Sequence, residues 1–262
     1  MTIVIALGGN ALLRRGDPLD PAVQDRNVAR AADALLRAVP ADERVVITHG
    51  NGPQVGLLAI ADASRRDGIP FPLDVLDAES EGMVGYLLAR HLHRAGGRRI
   101  ASLLTQVVVD PDDPAFERPT KPIGPVYGSQ DVGALADRFG WALAPEASGT
   151  GGWRRVVPSP APQSVVEVDA IGVLLDAGVM VVCAGGGGVP VAPDGERLVG
   201  VEAVVDKDAT SALLAEQLAA DQLLLLTDVD AVVDGWGTPD ARPIGQVAAA
   251  ELAAGDFAAG SM

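Results

Sequence analysis

Residues 2–12 read TIVIALGGNAL, in which a run rich in Val, Ile and Leu is followed at once by two glycines and an asparagine. A continuous apolar run bounded by glycine is typical of a strand that is buried on both faces of a parallel sheet. The same pattern recurs in RVVITHGNGP at 44–53 and in VMVVCAGGGG at 179–188. These segments predict strands that each end in a glycine-rich loop.

The stretches between these runs have the length and apolar spacing of helices that cross from one parallel strand to the next. Hydrophobic residues make up 48% of the chain but aromatic residues only 3%, so Val, Leu, Ile and Ala must build the core. An α/β fold with a parallel sheet is predicted, with the glycine loops at the edge where ligands bind. Helices are predicted at 21–39, 53–67, 74–95, 166–177 and 206–219, and further strands at 100–109 and 223–229.

Between about residues 110 and 160 this alternation gives way to a segment rich in Pro, Gly, Asp and Trp. Such a long segment does not fit a crossover. Its apolar residues, including Phe139, Trp141 and Trp153, favour a small subdomain over a disordered loop. The chain as a whole, 1–262, is predicted to form one domain that carries this subdomain.

The formal net charge of −15 at pH 7 argues against nucleic acid or an anionic membrane as a partner, because both bind basic surfaces. Phosphates must then be bound locally, by backbone N–H groups and a few placed cations. The single Cys183 cannot form an internal disulfide, and the N-terminus lacks a basic segment before an apolar stretch. No apolar run approaches the roughly 20 residues of a membrane span. A cytoplasmic protein without a membrane segment is predicted.

The chain contains eighteen arginines but only two lysines, Lys121 in PTKPIGP and Lys207 in VVDKDAT. An ammonium is a compact point charge, whereas a guanidinium is a broad planar fork, so a pocket around a moving phosphoryl group can accept one and reject the other. Both lysines lie in segments that are dense in Pro, Gly or Asp. We interpret them as functional residues in preference to solvated surface charges.

Two Gly-Asn loops are candidates for anion binding, because small residues let backbone N–H groups approach an oxyanion. Pro53 is well placed to begin a helix directly after the second loop. For His49, which precedes that loop, a packed side chain is favoured over a catalytic one, because no carboxylate lies near it in sequence. The predicted anion cradle consists of Gly8, Gly9, Asn10, Gly50, Asn51 and Gly52.

Three further segments suit phosphoryl chemistry. The glycines at 185–188 leave no side chains to block a charged ligand, and their cost in folding entropy calls for a reason. Asp208 can orient Lys207 so that the ammonium neutralises a transferring phosphoryl group, although a charged helix cap explains the same residues. Asp228 suits a nucleotide ribose, a solvated magnesium or a plain solvated turn. The glycine loops match neither GxxxxGKS/T nor GxGxxG, so another phosphate-binding arrangement is required.

Eight motifs follow one another along the chain: ALGGNAL, THGNGPQVG, TQVVVDPDDPAF, PTKPIGP, RRVVPSP, AGGGGVPV, VDKDAT and TDVDAV. Together they closely resemble the motifs of the carbamate kinases, a branch of the amino-acid kinase superfamily. GGN and the DKD neighbourhood alone would indicate only the superfamily, whereas TQVVVDPDDPAF, PTKPIGP and AGGGGVPV are specific to the branch. The resemblance covers nearly the whole chain.

This resemblance implies an open αβα sandwich, a homodimer, and reversible phosphoryl transfer between ATP and carbamate, giving carbamoyl phosphate and ADP with Mg²⁺, as in arginine metabolism. It implies a carbamoyl phosphate side in the N-terminal part, a protruding subdomain at about 110–160 and a nucleotide side at about 165–262. No residue of this sequence is predicted as a metal ligand. By matching position, the first two glycine loops would hold carbamoyl phosphate, Lys121, Lys207 and Asp208 would act on the transferring group, and Gly185, Gly186, Lys207 and Asp228 would lie near the nucleotide.

The sequence departs from the family pattern in two places. The family continues past GSM through a Pro-Lys segment, a helix and a strand, whereas this sequence stops at Met262, so one phosphate-binding lysine is expected to fall outside it. In AVVDGWG, relatives usually carry a tyrosine after the aspartates. Two alternatives stay open: a related phosphotransferase for another small carboxylate or phosphonate, and a nucleotide-binding homologue without catalysis.

Overall fold

The computed structural model describes the chain except for residues 14–16, 18–19, 41, 65–69, 97, 147–150, 228–230, 236–237, 239 and 254–262, and except for the side chains at 10, 11, 95, 96 and 253. The chain divides into two compact units, Met1–Leu226 and Thr227–Met262. The helices are α1 Gly9–Leu12, α2 Pro21–Ala38, α3 Gly52–Ala63, α4 Leu73–Gly96, α5 Val132–Phe139, α6 Val168–Asp176, α7 Lys207–Gln217 and α8 Ala249–Ala253. The strands are β1 Thr2–Leu7, β2 Arg44–His49, β3 Arg99–Ser102, β4 Gln106–Val109, β5 Lys121–Tyr127, β6 Ala142–Pro145, β7 Trp153–Val157, β8 Pro162–Val165, β9 Val179–Val182, β10 Val189–Asp194, β11 Arg197–Gly200, β12 Gln222–Leu226, β13 Val233–Asp234 and β14 Arg242–Pro243.

A five-stranded parallel sheet, in the order β12-β1-β2-β9-β3, forms the centre of the first unit. β1 is paired on both sides and buried along its whole length, as its unbroken apolar run predicts. Because side chains alternate between the faces of a strand, Ile3, Ile5 and Leu7 pack against α2 and α4, whereas Val4 lies in the cluster with α6 and α7. These three layers are an αβα sandwich, so the predicted fold class is confirmed.

The predicted strand at 100–109 is wrong, because the chain changes sheets within it. β3 ends the parallel sheet, whereas β4 belongs to a second sheet with the order β11-β10-β4-β8. The change occurs at Thr105, whose N–H donates to the Glu81 carboxylate and whose carbonyl accepts from the Val189 N–H at 2.7 Å. Tertiary partners outside the first sheet thus redirect an apolar run that is locally suited to one strand.

A third, antiparallel sheet in the order β5-β7-β6 carries Lys121 at the start of β5. It packs on α3 through Gly56 and Gly124, at a place where a Cβ atom on Gly56 would lie 2.0 Å from the Gly124 Cα atom. The absence of side chains at both positions lets the helix and the strand touch backbone to backbone. Lys121 therefore begins a strand that is held directly against the helix following the second glycine loop.

The second unit contains a short antiparallel pair, β13 and β14, in which Asp234 lies opposite Arg242. The two side chains form an exposed ion pair at 3.3 Å. The unit also contains α8. None of the described helices in the chain is both long enough and apolar enough to cross a membrane.

Candidate active site

The three glycine loops meet at the carboxyl edge of the parallel sheet. The Gly50 N–H donates to the Leu7 carbonyl at 3.0 Å, so the sheet ladder runs directly into the second loop. A Cβ atom on Gly50 would lie 3.0 Å from the backbone nitrogen of Gly9, and one on Gly186 would lie 2.2 Å from the Asn51 amide. Glycine is needed at these positions because neighbouring loops fill the space. The structure thus brings together Gly8, Gly9, Gly50, Asn51, Gly52, Gly185 and Gly186.

Backbone conformation explains the run of glycines in the third loop. Gly186, Gly187 and Gly188 have φ angles of +71°, +101° and +83°, which side chains disfavour. A Cβ atom on Gly187 would also lie 2.5 Å from the Val205 carbonyl oxygen. The Thr210 hydroxyl donates to the Gly187 carbonyl at 2.9 Å. The loop is therefore fastened to α7, the helix that begins with Lys207.

The buried carboxylate of Glu81 on α4 holds the other side of the third loop. Its Oε1 atom accepts from the Gly185 N–H at 2.8 Å, and its Oε2 atom accepts from the Thr105 N–H at 3.2 Å. Burial raises the pKa of Glu81 to about 8, although the hydrogen bonds from Gly185 and Thr105 oppose the rise. Glu81 positions the loop without being predicted as a site residue.

The second loop is fastened to the same face of α4. The Asn51 Nδ2 atom donates to the Asp77 Oδ1 atom at 3.0 Å and to the Ser80 Oγ atom at 2.7 Å. Burial raises the pKa of Asp77, and the Asn51 hydrogen bond only partly opposes this. Asp77 and Glu81 are four residues apart, a spacing that places both on one helix face. This spacing is visible in the sequence and could have indicated that the two acids share a function. Acids in a helix are usually solvated, however, so the spacing alone does not predict burial.

We expect the free energy of unfolding to fall as pH rises from about 6.5 to 8, and the substitution Glu81→Gln to weaken this fall. The Glu81 pKa is about 8 in the folded chain against an ordinary 4.5, so in this range the folded chain holds a proton that the unfolded chain has released. Burial lowers the pKa of His49 from 6.5 to about 4, so His49 makes the free energy of unfolding rise with pH. This contribution acts only below pH 6.5.

Urea unfolding of the wild type and of Glu81→Gln, each at pH 6.5 and at pH 8, measures how the free energy of unfolding changes with pH. Glu79→Gln is the matched control, because Glu79 lies on the exposed face of the same helix. An identical pH dependence in wild type and Glu81→Gln would contradict the assignment of the retained proton to Glu81.

Asp206 joins the two lysines, although they are far apart in sequence. It caps α7, since its Oδ1 atom accepts from the N–H groups of Asp208 at 2.9 Å and Ala209 at 3.1 Å. Its Oδ2 atom accepts from the Lys121 Nζ atom at 2.5 Å. Burial alone would raise the Asp206 pKa, but attraction and hydrogen bonding from Lys121, with the two backbone donors, lower it. Asp206 is the first residue of the DKD motif, and no role was predicted for it from the sequence.

Lys207 is the first residue of α7, and its ammonium donates to the Asp208 carboxylate. The Lys207 carbonyl accepts from the Ser211 hydroxyl, which is 2.7 Å from the Thr48 hydroxyl on β2. The helix start is therefore tied to the central sheet. Two ammonium groups at the positive end of a helix form a place suited to phosphoryl oxygens.

His49 is fully buried, and its Nε2 atom has no hydrogen-bond partner among the described residues, so the packing interpretation stays a prediction. Burial lowers its pKa to about 4, with a smaller contribution from the charge of Lys207. Its Nδ1 atom lies 3.2 Å from the Gly50 carbonyl oxygen. A Cβ atom on Gly185 would lie 2.3 Å from the His49 ring, so the third loop closes over a neutral imidazole.

Two predicted site features cannot be compared with the structure. Asp228 lies outside the described residues, as does the side chain of Asn10. The roles predicted for Lys121, Lys207 and Asp208 stay predictions, because geometry places these residues without testing their chemistry.

A parallel sheet with three glycine loops at its carboxyl edge, facing two carboxylate-held lysines, is the arrangement of a phosphotransferase without a P-loop. The model of the amino acid kinase family matches residues 1–262, and the chain belongs to this family.

Comparisons with individual proteins show which branch of this family the chain resembles. The carbamate kinase of Escherichia coli (strain K12) is 49% identical over 262 residues, which cover 100% of this chain and 86% of the relative. The structure of carbamate kinase from Giardia lamblia bound to citric acid has a TM-score of 0.85 and 39% identity, and the match covers 90% of this chain and 77% of that one. The same Giardia enzyme bound to AMP-PNP has a TM-score of 0.80 and 38% identity, covering 93% and 78%. The function of the chain is that of a carbamate kinase, an ATP-dependent phosphotransferase.

Proposed function

We propose that the chain transfers a phosphoryl group reversibly between ATP and carbamate, with Lys121, Lys207 and Asp208 as its catalytic residues. In the forward direction a carbamate oxygen bonds to the γ-phosphorus while the bond from that phosphorus to the β,γ-bridging oxygen breaks. The products are carbamoyl phosphate and ADP. The observation that carries the proposal is the meeting of both lysines at the start of α7, beside the glycine loops.

The proposed roles of the lysines are electrostatic. Phosphoryl transfer spreads negative charge over the oxygens of the moving group, and fixed cations that face those oxygens lower the barrier. Lys207 neutralises this charge, and Asp208 orients its ammonium. Lys121 reaches the same group from β5, and the Asp206 carboxylate holds its ammonium.

In this proposal, the first two loops bind one substrate and the third loop binds the other. Gly8, Gly9, Asn10 and the second loop, Gly50 to Gly52, bind carbamate or carbamoyl phosphate through backbone N–H groups. Gly185, Gly186 and Lys207 contact the nucleotide, and the role predicted from the sequence for Asp228, outside the described residues, is also on the nucleotide. The Giardia lamblia relative bound to AMP-PNP supports a nucleotide site in this chain.

Mg²⁺ enters the proposal as an ion brought by the nucleotide. In the part of the chain that the structure describes, no three His, Cys, Asp or Glu side chains cluster as a metal site would need. Mg²⁺ is usually bound through substrate phosphates and one or two carboxylates. When bound, the ion would neutralise charge on the β- and γ-phosphates.

ATP formation from ADP and carbamoyl phosphate, with and without Mg²⁺, tests this function. We expect turnover with Mg²⁺ and a strong preference for carbamoyl phosphate over acetyl phosphate. Equal use of acetyl phosphate would favour a relative specific for another carboxylate. Nucleotide binding without any transfer would favour the non-catalytic alternative. The carbamate kinase relatives support neither alternative.

We propose that the chain forms a homodimer through the outer face of α4. Met83 and Tyr86 on this helix are 37% and 59% exposed, and Leu104, beside Gly82, is 56% exposed. Large apolar side chains grouped on one surface are typical of an interaction site.

We also propose a cytoplasmic location, for which the lone buried thiol of Cys183 is suitable.

The substitution Tyr86→Glu is expected to shift the chain from dimer to monomer, because a charge would be buried against the partner. Light scattering after size-exclusion chromatography measures the mass. Val173→Glu is the matched control, since Val173 is 69% exposed on α6, on the other side of the central sheet. A dimer that survives Tyr86→Glu, or a monomeric wild type, would contradict an interface on α4.

A further inference from the structure

A second cavity lies apart from the glycine loops and the lysines. Its volume is about 630 Å³, and it opens between the third sheet and the adjoining ends of α3 and α4. Ala59, Leu73 and Leu76 supply an aliphatic wall that continues into a small buried cluster with Ile123. Among the residues that the structure describes, none of those assigned to phosphoryl transfer lines this cavity.

The opposite wall is a stack of cations and rings. The Arg155 guanidinium lies 4.6 Å from the centre of the Trp141 ring, and Trp141 stacks on Phe139 with ring centres 4.6 Å apart. The Arg138 guanidinium lies 4.8 Å from the centre of the Phe139 ring. Stacking of this kind holds a guanidinium in place by its face and leaves its N–H groups, which lie in its plane, available to an acceptor.

Arg155, one of the two arginines of this wall, has no acceptor among the residues that the structure describes. Across the described residues, the Arg155 guanidinium has neither a hydrogen-bond acceptor nor an ion-pair partner, and its side chain is half-buried. Burial lowers the Arg155 pKa, with the more distant charge of Glu202 opposing this. A guanidinium carries five N–H donors, and those of Arg155 that no protein atom engages are available to an acceptor. The cavity beside Arg155 is where an acceptor can enter.

The two acids of the cavity wall are already engaged by the backbone. Glu202 accepts from the Leu73 N–H at 2.9 Å, and Asp62 accepts from the Phe71 N–H at 2.6 Å. They hold the segment that enters α4. Together with Arg138 and Arg155 they make the cavity wall formally neutral. A formally neutral wall gives no net attraction to a polyanion such as ATP, whereas one negative charge can pair with the Arg155 guanidinium.

We propose that this cavity binds a small aliphatic monocarboxylate, with its carboxylate on Arg155 and its hydrocarbon chain against Ala59, Leu73 and Leu76. A carboxylate matches the guanidinium fork with two parallel hydrogen bonds. An apolar tail that enters the cavity leaves water, and burial of each methylene contributes about 0.8 kcal/mol in general. The cavity is roomy enough for a chain of several carbons. The ligand is therefore distinct from carbamate and from the nucleotide in both place and chemistry.

Isothermal titration with pentanoate tests the proposal on the wild type, on Arg155→Gln and on Arg197→Gln. We expect saturable binding to the wild type, at least about tenfold weaker binding to Arg155→Gln, and unchanged binding to Arg197→Gln, in which an exposed arginine of β11 is altered. A second variant, Ala63→Phe, fills the cavity from the end of α3 without removing charge, and is expected to weaken binding as well. It keeps the test decisive if Arg155→Gln fails to fold.

Comparison ligands and a catalytic variant separate this site from the active site. Binding should persist in Lys207→Ala and in the presence of saturating ADP, and pentylamine and inorganic phosphate should bind far more weakly than pentanoate. Absence of saturable pentanoate binding, equal binding to Arg155→Gln and wild type, or competition with carbamoyl phosphate would each overturn the proposal. None of these results would bear on the phosphoryl transfer itself.

Discussion

Replacing Lys207 with alanine is expected to lower kcat for ATP formation by about 10³-fold, because removal of a cation that faces a transferring phosphoryl group has effects of this order. The fold should survive. The Lys207 ammonium contacts the partly exposed carboxylate of Asp208, and the cap of α7 is supplied by Asp206. Steady-state kinetics in the direction of ATP formation, with circular dichroism and a melting curve on the same samples, measure both effects.

The substitution Lys207→Arg is the sharper control, because it keeps the positive charge. If the site requires a compact ammonium, this variant should also lose most of its activity. A chain that uses lysine at only two positions and arginine at eighteen makes this comparison informative. Activity of Lys207→Ala within tenfold of the wild type would contradict a catalytic role for Lys207.

The substitution Gly56→Ala is expected to destabilise the chain by about 3 kcal/mol, in the range of strongly overpacked sites. The new Cβ atom would lie 2.0 Å from the Cα atom and 2.3 Å from the nitrogen of Gly124. Both are backbone atoms, so no side-chain rotation can relieve the overlap, and α3 and β5 must separate. Because Lys121 begins β5, activity should fall together with stability.

Urea unfolding measures the stability change, and Gly133→Ala is its matched control. Gly133 also lies within a helix, but a Cβ atom there would meet nothing within 4 Å. This control should be neutral or stabilising by up to about 1 kcal/mol, because alanine is the better helix former. A loss of stability in Gly56→Ala no larger than the change in Gly133→Ala would show that the contact between α3 and β5 adjusts without cost.

The fold was largely predictable because its signals are local. The apolar run at 2–7 and the helical spacing at 21–39 correspond to β1 and to α2, which ends at Ala38. The prediction failed at 100–109, where Thr105 is bonded to Glu81 and leaves the parallel sheet. Nothing in the local pattern of that apolar run announces a partner on a distant helix.

The candidate site was predictable only in part. Glycine loops after strands are visible in a sequence, and parallel topology places them at one edge. The holders of these loops were missed. Asp77 and Glu81 carry charge in a helix, where exposure is the usual outcome, and only the packing of α4 against the loops buries them.

The sequence by itself determined the buried strands β1, β2 and β9, the helices that follow the first two of them, the glycine loops and the family, because periodicity and motifs are properties of neighbouring residues. The tertiary structure decided which groups meet. Lys121 reaches Asp206 across 85 positions of sequence, and Gly56 touches Gly124. Such pairs depend on how sheets and helices pack, and the packing free energy belongs to the whole chain, so no local pattern specifies them.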